Sequence, residues 1–112
     1  MGIYGNRHPT FKEDLLKETA NFKNIANAGK NLCIIGDYNC SFADNYYFTT
    51  FGRNTLLKSF EENKIRLLTG DKRECIDHIA ISRSFIKNAE PQVKEWNENK
   101  ELSDHKGIFV FI

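Results

Sequence analysis

The chain has 112 residues, with 16 Lys and Arg against 15 Asp and Glu, for a formal net charge of +1. A chain of this length forms one domain at most, and 40% hydrophobic with 28% charged residues is an ordinary composition for a globular protein. The near-neutral charge excludes a strong overall attraction to nucleic acid or anionic lipid, so an anionic substrate would have to be attracted locally.

Cellular location is indicated by what the sequence lacks. No apolar run approaches the length of a membrane span, and the N-terminus has no secretory signal pattern. The three cysteines are odd in number and form no Cys-x-x-Cys pair. We therefore expect a cytoplasmic protein with reduced thiols and no membrane association.

The first third of the chain predicts the order strand, helix, strand. Residues 2–5 are typical of the end of a strand, and a turn follows at residues 6–9. Thr10 to Glu13 has the capping-box pattern, so a helix is expected to begin at Phe11 and to end at Ala28-Gly29. The apolar run from Leu32 is short, rich in β-branched residues and ended by Gly, which predicts a strand covered on both faces. This order favours a layered sheet with a helix on its face.

The middle of the chain predicts loops between further elements. An aromatic-rich passage from Phe42 to Phe51 either lines a substrate cleft or, more commonly, packs on the core. Asn54 or Thr55 is expected to cap a short helix, and Gly70 to Arg73 to form a turn whose Lys72 and Arg73 either are solvated or contact a phosphate. The remaining strands are predicted at residues 65–69, 75–82, 92–96 and 107–112.

Three polar stretches each adjoin a predicted buried strand: Gly36 to Asn39, Ile76 to Ile79, and Ser103 to His105. An Asp carboxylate can accept a proton or bind a metal, and Asn both donates and accepts hydrogen bonds, which suits work on a phosphate. By itself the first stretch is better interpreted as an Asx turn that closes a strand. In the second stretch, side-chain alternation places Asp77 and His78 on opposite faces, so His78 is expected to be structural.

Together and in this order, the three stretches resemble the C-terminal half of the endonuclease/exonuclease/phosphatase family. This family includes pancreatic deoxyribonuclease, exonuclease III-type abasic endonucleases and inositol-polyphosphate 5-phosphatases. The resemblance covers roughly all 112 residues. It implies an α/β (α+β) fold that is half of a four-layer β-sandwich. Its one mixed sheet would use strands near residues 2, 32, 65, 76, 92 and 107, with helices packed on one face.

The resemblance also implies catalytic roles. Asp37 matches the aspartate that orients or deprotonates the attacking water, and Asn39 matches the asparagine that holds the phosphate or that water. Asp77 matches the aspartate paired with the catalytic histidine, and His105 matches that histidine. An imidazolium held by a carboxylate stabilises charge that develops on a phosphoryl group.

Metal and phosphate ligands follow from the same resemblance. Asp104 matches the aspartate at a divalent-metal site, to which Asp37 also contributes, and the cofactor implied is Mg²⁺ (or Mn²⁺). Either His8 or Asn6 would face the substrate phosphate, with His8 preferred. The substrate would be a phosphoester, since family members act on nucleic acids as well as on smaller molecules.

One part of the family pattern has no counterpart in the sequence. Family members begin with another half that carries the principal metal-binding glutamate. We therefore expect a metal-dependent phosphoester hydrolase that needs an N-terminal half for full activity. The alternative is an inactive remnant, or a subunit of a split enzyme that acts as an interaction module. The sheet face without helices is expected to be apolar, because in the family it meets a second sheet. We expect it to be covered by a homodimer partner, by a second polypeptide or by upstream residues.

Two rival interpretations use the thiols. Cys75 and His78, with Cys40 or His105, would form a zinc site, but residues three apart on a strand point to opposite faces. A Cys40–His105 nucleophile pair would leave Asp37, Asn39 and Asp104 without a role. Both interpretations rank below the phosphoesterase.

Overall fold

The computed structural model describes residues 10–87, 90–96 and 107–111 of the chain. The predicted strand end near residue 2 and the turn at residues 6–9 lie outside these ranges. The combination of helices and antiparallel strands confirms the α+β class, and no helix in the described ranges has the length and hydropathy needed to cross a membrane. The elements are α1 (Phe11–Asn27), β1 (Cys33–Asp37), α2 (Thr50–Glu62), β2 (Ile65–Leu67), β3 (Asp77–Ser82), α3 (Arg83–Ile86), β4 (Gln92–Trp96) and β5 (Gly107–Phe111).

The strands within the described ranges form two sheets instead of the predicted single mixed sheet. One sheet has three strands in the order β1-β3-β2, and the other is the β4-β5 pair. Every pairing among the described strands is antiparallel. The prediction was wrong because the alternation of apolar and polar residues indicates which face a side chain takes, but not which strand lies beside it.

Helix α1 begins and ends where the sequence predicts, but its first turn is not stabilised by a capping box. Thr10 precedes the helix without capping a backbone N–H, and its hydroxyl donates to Asp14 Oδ2 at 2.6 Å. At the other end the helix stops at Gly29, whose φ of +74° is a conformation that glycine adopts without strain. The buried face of the helix consists of Phe11, Leu15 and Phe22.

Helix α2 begins several residues before the predicted cap at Asn54 or Thr55. Thr49 is the N-cap, and its hydroxyl oxygen accepts a hydrogen bond from the Gly52 N–H at 3.0 Å. A Cβ on Gly52 would lie 2.9 Å from Thr49 Oγ1 and 3.1 Å from Phe11 Cζ. Glycine at this position therefore allows the first turn of α2 to approach α1 closely.

The helices cover one face of the three-stranded sheet, as predicted. Leu15 of α1 and Leu56 of α2 are fully buried against side chains of β1 and β3. Three aromatic rings interlock at the centre of this layer, with Phe60 6.4 Å from Phe22 and 6.3 Å from Tyr38 between ring centroids. This core rigidly positions the end of β1, after which the candidate site residues begin.

The opposite face of the sheet is covered only in part. The β4-β5 pair places Val93 and Ile108 against the cluster of Leu68, Ile79, Ile81 and Ile86. On β1, however, Cys33 is exposed and Ile35 retains 55% of its accessible surface. The expectation that this strand is covered on both faces is therefore wrong, since β1 lies beyond the area that the β4-β5 pair covers.

Candidate functional site

The sheet register brings two of the predicted carboxylates together. Asp37, the last residue of β1, pairs directly with Asp77, the first residue of β3. Directly opposed residues of an antiparallel pair project from the same face, with their Cβ atoms about 4.5–5.5 Å apart. Two carboxylates at this spacing concentrate negative charge, which favours a bound cation.

Asn39 is held beside this pair by a turn. Its backbone N–H donates to Asp37 Oδ1 at 2.7 Å, and its φ is +50°, a left-handed conformation that Asn tolerates better than most residues. The intervening Tyr38 N–H donates to the Ile76 carbonyl at 2.8 Å, which extends the pairing of the two chain segments by one further bond. The Asx turn predicted from the sequence is thus present, and it fixes the backbone of Asn39 next to Asp37.

His78 lies on the opposite face of β3 and is a core residue, as predicted. It is 1% exposed, and both of its ring nitrogens are hydrogen bonded. Nε2 donates to the Cys40 carbonyl at 2.7 Å, because a carbonyl can only accept, and Nδ1 accepts from the Thr69 hydroxyl at 2.6 Å. Burial is the main cause that lowers the pKa of His78 to about 4, so the imidazole is neutral near pH 7.

The segment after Asn39 folds into a closed loop around a buried serine. Ser41 is fully buried, and its N–H donates to the Tyr47 carbonyl at 2.7 Å. The guanidinium of Arg53 donates to the carbonyls of Ser41 and Asp44 and lies 3.8 Å from the Phe48 ring centroid. This loop, residues 41–47, is called the serine loop below.

Part of the aromatic passage takes the commoner of the two predicted roles. Phe42, Phe48 and Phe51 are partly buried and pack against the core, which confirms the commoner alternative for them. Tyr46 and Tyr47 are 48% and 39% exposed. A contact of these two tyrosines with substrate therefore stays a prediction.

The serine loop is connected to the chain segment that precedes Asp77. Asp44 Oδ2 accepts from the Glu74 N–H at 2.9 Å, and Arg73 Nε lies 3.9 Å from the same oxygen. The Glu74 N–H is the main cause that lowers the pKa of the Asp44 carboxyl. Asp44 was not predicted from the sequence, since its contact joins residues 30 positions apart and no local pattern predicts such a bond.

The predicted turn at residues 70–73 lies between β2 and β3, in the connection of that antiparallel pair. Arg73 is 82% exposed by side chain and interacts with Asp44. An exposed ion pair at this distance adds little stability. A contact of Lys72 or Arg73 with a substrate phosphate stays a prediction.

The thiols do not support either rival interpretation. The Cys40 Sγ is buried and donates to the Ser41 carbonyl at 3.4 Å, and burial raises its pKa to about 11, so it is a poor nucleophile. The Cys75 Sγ donates to the Asp77 carbonyl at 3.0 Å. Since His78 uses both nitrogens in hydrogen bonds, it has none left for zinc.

Four predicted site residues lie outside the described ranges: Asn6, His8, Asp104 and His105. Within residues 10–87, 90–96 and 107–111, no group of three or more His, Cys, Asp or Glu side chains is arranged to hold a metal ion. The described part of the chain therefore provides a pair of carboxylates and an amide, and the metal site and the Asp77–His105 pair stay predictions.

Two surface grooves lie away from the carboxylate pair. One, of about 370 Å³, runs between α1 and β1 and is lined by Phe22, Ile25, Leu32 and Ile34 among others. The second, of about 320 Å³, separates the outer surfaces of α1 and α2. Neither groove is lined by Asp37, Asn39 or Asp77, so the grooves are separate from the candidate site.

Searches against protein-family models, curated proteins and solved structures find no match to this chain.

Proposed function

We propose that the chain is a metal-dependent phosphoester hydrolase, and that Asp37, Asn39 and Asp77 form one side of its active site. The observation that supports this most directly is the register of β1 and β3, which pairs Asp37 with Asp77. Asn39 is held next to the pair by its hydrogen bond to Asp37. A carboxylate pair with an adjacent amide suits both a hard divalent cation and a phosphate oxygen.

Each residue has a distinct role in the proposed reaction. Asp37 accepts the proton of the attacking water, and the Asn39 amide donates to a phosphate oxygen or positions that water. Asp77 orients His105, whose protonated ring stabilises the charge that develops on phosphorus. His8, or else Asn6, provides a further donor to the phosphate.

A divalent cation fits the donor set. Carboxylate oxygens are preferred ligands of Mg²⁺ and Mn²⁺. Asp37 and Asp104 would hold the ion. Bound there, it would act as a Lewis acid that offsets negative charge on the phosphoryl group.

The proposal includes the family and its architecture. The chain would be half of a four-layer β-sandwich of the endonuclease/exonuclease/phosphatase type, and its full activity would need a second half that contributes a metal-binding glutamate. The substrate class is a phosphoester, with nucleic acid among the candidates. The near-neutral net charge favours a substrate held by local contacts over one held by a general electrostatic field.

Replacement of Asp37 tests this proposal. We expect the purified chain to hydrolyse a generic phosphodiester or nick plasmid DNA with Mg²⁺, and Asp37→Asn to lower the rate about 100-fold or more, because the amide cannot accept the proton. The assay is steady-state hydrolysis with Mg²⁺, with Mn²⁺ and with EDTA.

Asp71→Asn is the matched control for the lost charge. Asp71 is exposed in the turn between β2 and β3 and has no place in the proposed site, so its replacement should leave the rate within about twofold. Equal rates for wild type and Asp37→Asn would reject the hydrolase as an autonomous enzyme. Addition of a polypeptide that supplies the second half would then test the split enzyme.

The alternative, an inactive remnant or split-enzyme subunit that acts as an interaction module, is favoured by a different observation. Ile35 on β1 and Phe85 on α3 are each 55% exposed. Large exposed apolar side chains are common at protein interfaces when they form a contiguous patch. On this alternative the sheet face that the β4-β5 pair leaves uncovered would contact a second copy or another polypeptide.

Self-association is therefore a separate prediction. We expect the wild type to be a dimer in size-exclusion chromatography with light scattering, and Ile35→Lys to shift it toward the monomer, since a charge in an apolar contact is unfavourable. Lys17→Glu, on an exposed part of α1, controls for a change of charge. A wild type that is monomeric over the concentration range, with both variants alike, would contradict a homodimer.

A further inference from the structure

Three hydrogen bonds join residues 38–44 to residues 74–78, and they differ in their distance from the candidate site. The Tyr38 N–H bonds to the Ile76 carbonyl at 2.8 Å, and His78 Nε2 bonds to the Cys40 carbonyl at 2.7 Å. Both involve neighbours of the site residues. The third, from the Glu74 N–H to Asp44 Oδ2 at 2.9 Å, lies farther along both segments.

We propose that Asp44 is a positioning residue that sets the separation between Asn39 and Asp77. This inference rests on the proposed function, because it concerns the alignment of that same site. Asp44 acts through the backbone: its carboxylate holds Glu74, three residues before Asp77, against the loop that follows Asn39.

The backbone on the Glu74 side needs a tether. Glu74 has a φ of +48°, a left-handed conformation that is uncommon for residues other than Gly, Asn and Asp. Such a conformation persists where surrounding contacts impose it. The bond from Asp44 fixes the N–H of this same residue, so it holds the turn at its least favourable point.

The Asp44 side of the contact is rigid, which allows the carboxylate to serve as an anchor. Its Oδ1 accepts from the Tyr46 N–H at 3.1 Å, and its own carbonyl accepts from both the Ser41 hydroxyl and the Arg53 guanidinium. The side chain is 18% exposed. Ser41 follows Asn39 by two residues, so the anchor and the amide belong to one ordered segment.

The contact has a direct consequence for catalysis. A displacement of about 1 Å in an active site can lower a rate about 100-fold while substrate binding changes little. Loss of the tether should therefore lower kcat and leave KM almost unchanged. An asparagine at position 44 keeps one carbonyl acceptor for the Glu74 N–H but loses the acceptor for the Tyr46 N–H, so it should restore the alignment in part without the charge.

The test compares Asp44→Ala, Asp44→Asn and the control Asp71→Ala. We expect Asp44→Ala to accelerate amide hydrogen exchange at Glu74 about tenfold or more and to shift the amide resonances of Asn39 and Asp77 in ¹H–¹⁵N spectra. With a phosphodiester and Mg²⁺, kcat should fall about tenfold or more at constant KM. Asp44→Asn should stay within about threefold of wild type in both measurements, and Asp71→Ala should match wild type.

The two arms separate the failure of this inference from that of the proposed function. An inactive wild type whose Glu74, Asn39 and Asp77 amides still respond to Asp44→Ala would reject the hydrolase and retain Asp44 as the residue that positions these segments. Unchanged exchange at Glu74, or unchanged Asn39 and Asp77 resonances, would overturn the inference whatever the activity. A rise in KM at constant kcat would also overturn it, because that is the effect of a substrate contact.

Discussion

His78→Ala is expected to lower the free energy of unfolding by about 4 kcal/mol, a large part of the total stability of a small domain. Three losses contribute to this value. The truncation opens a cavity beneath the Tyr38 and Phe42 rings, whose centroids lie 5.1 and 4.7 Å from the imidazole. It also leaves the buried Cys40 carbonyl without its donor and the Thr69 hydroxyl without its acceptor.

Two further variants divide this expected loss. His78→Gln keeps an N–H for Cys40 and a carbonyl for Thr69 in a side chain of similar reach, so it should cost about 1–2 kcal/mol. Thr69→Val removes the hydroxyl that also accepts from the Ile79 N–H at 3.2 Å, and should cost about 2 kcal/mol. Urea unfolding followed by far-UV circular dichroism measures all three at pH 7.

The test of this interpretation is the order of the three losses in unfolding free energy. His78→Ala should be the least stable of the three, and a variant that fails to fold is consistent with that position. A loss below about 1.5 kcal/mol for His78→Ala, or a His78→Gln variant as unstable as His78→Ala, would show that the two hydrogen bonds are unimportant.

His78 also illustrates what the sequence can and cannot predict. Alternation along β3 correctly separated His78 from Asp77, because neighbouring side chains of a strand take opposite faces. The partners of the imidazole were not predictable, since Cys40 is 38 residues away and a hydrogen bond across that separation leaves no local pattern. Sequence periodicity thus identified the face of the sheet, and tertiary packing determined the contact.

The same division holds for the candidate site and the helices. Asp37, Asn39 and Asp77 were identified as polar residues at strand ends, and the register that brings two of them together became visible only in the structure. The start of α2 was misplaced because Gly52 is a poor helix former, whereas the fold uses it for close packing against Phe11. Helix propensity is a misleading guide where tertiary packing requires a small residue within a helix.

A second large effect is expected when the pH is lowered. The pKa of His78 is about 4 in the folded chain, against an ordinary value of 6.5. Between these values the unfolded chain binds a proton that the folded chain does not, so protonation favours unfolding. The contribution of the neutral His78 to the free energy of unfolding is therefore fully present above about pH 6.5. It falls as the pH decreases, and the free energy of unfolding is about 3 kcal/mol lower near pH 4.

Other groups also affect the pH dependence of stability. Backbone hydrogen bonds to Cys40 and Cys75 and the charge of Asp77 raise the pKa of His78, but burial outweighs them. The Asp44 carboxyl has a lowered pKa, so its contribution is lost at still lower pH, below its ordinary value of 3.8. The two groups thus affect different parts of the acid range.

Comparison of wild type with His78→Gln over this pH range isolates the effect. Gln does not titrate, so the variant should be less stable than wild type at pH 7 and should lose about 3 kcal/mol less on acidification to pH 4. The two stabilities should therefore cross at an intermediate pH. Parallel pH profiles would mean that the ring is not kept neutral by burial. Protonation places a hydrogen on Nδ1, so acid removes the acceptor of the Thr69 hydroxyl and leaves the Nε2 donor to the Cys40 carbonyl in place.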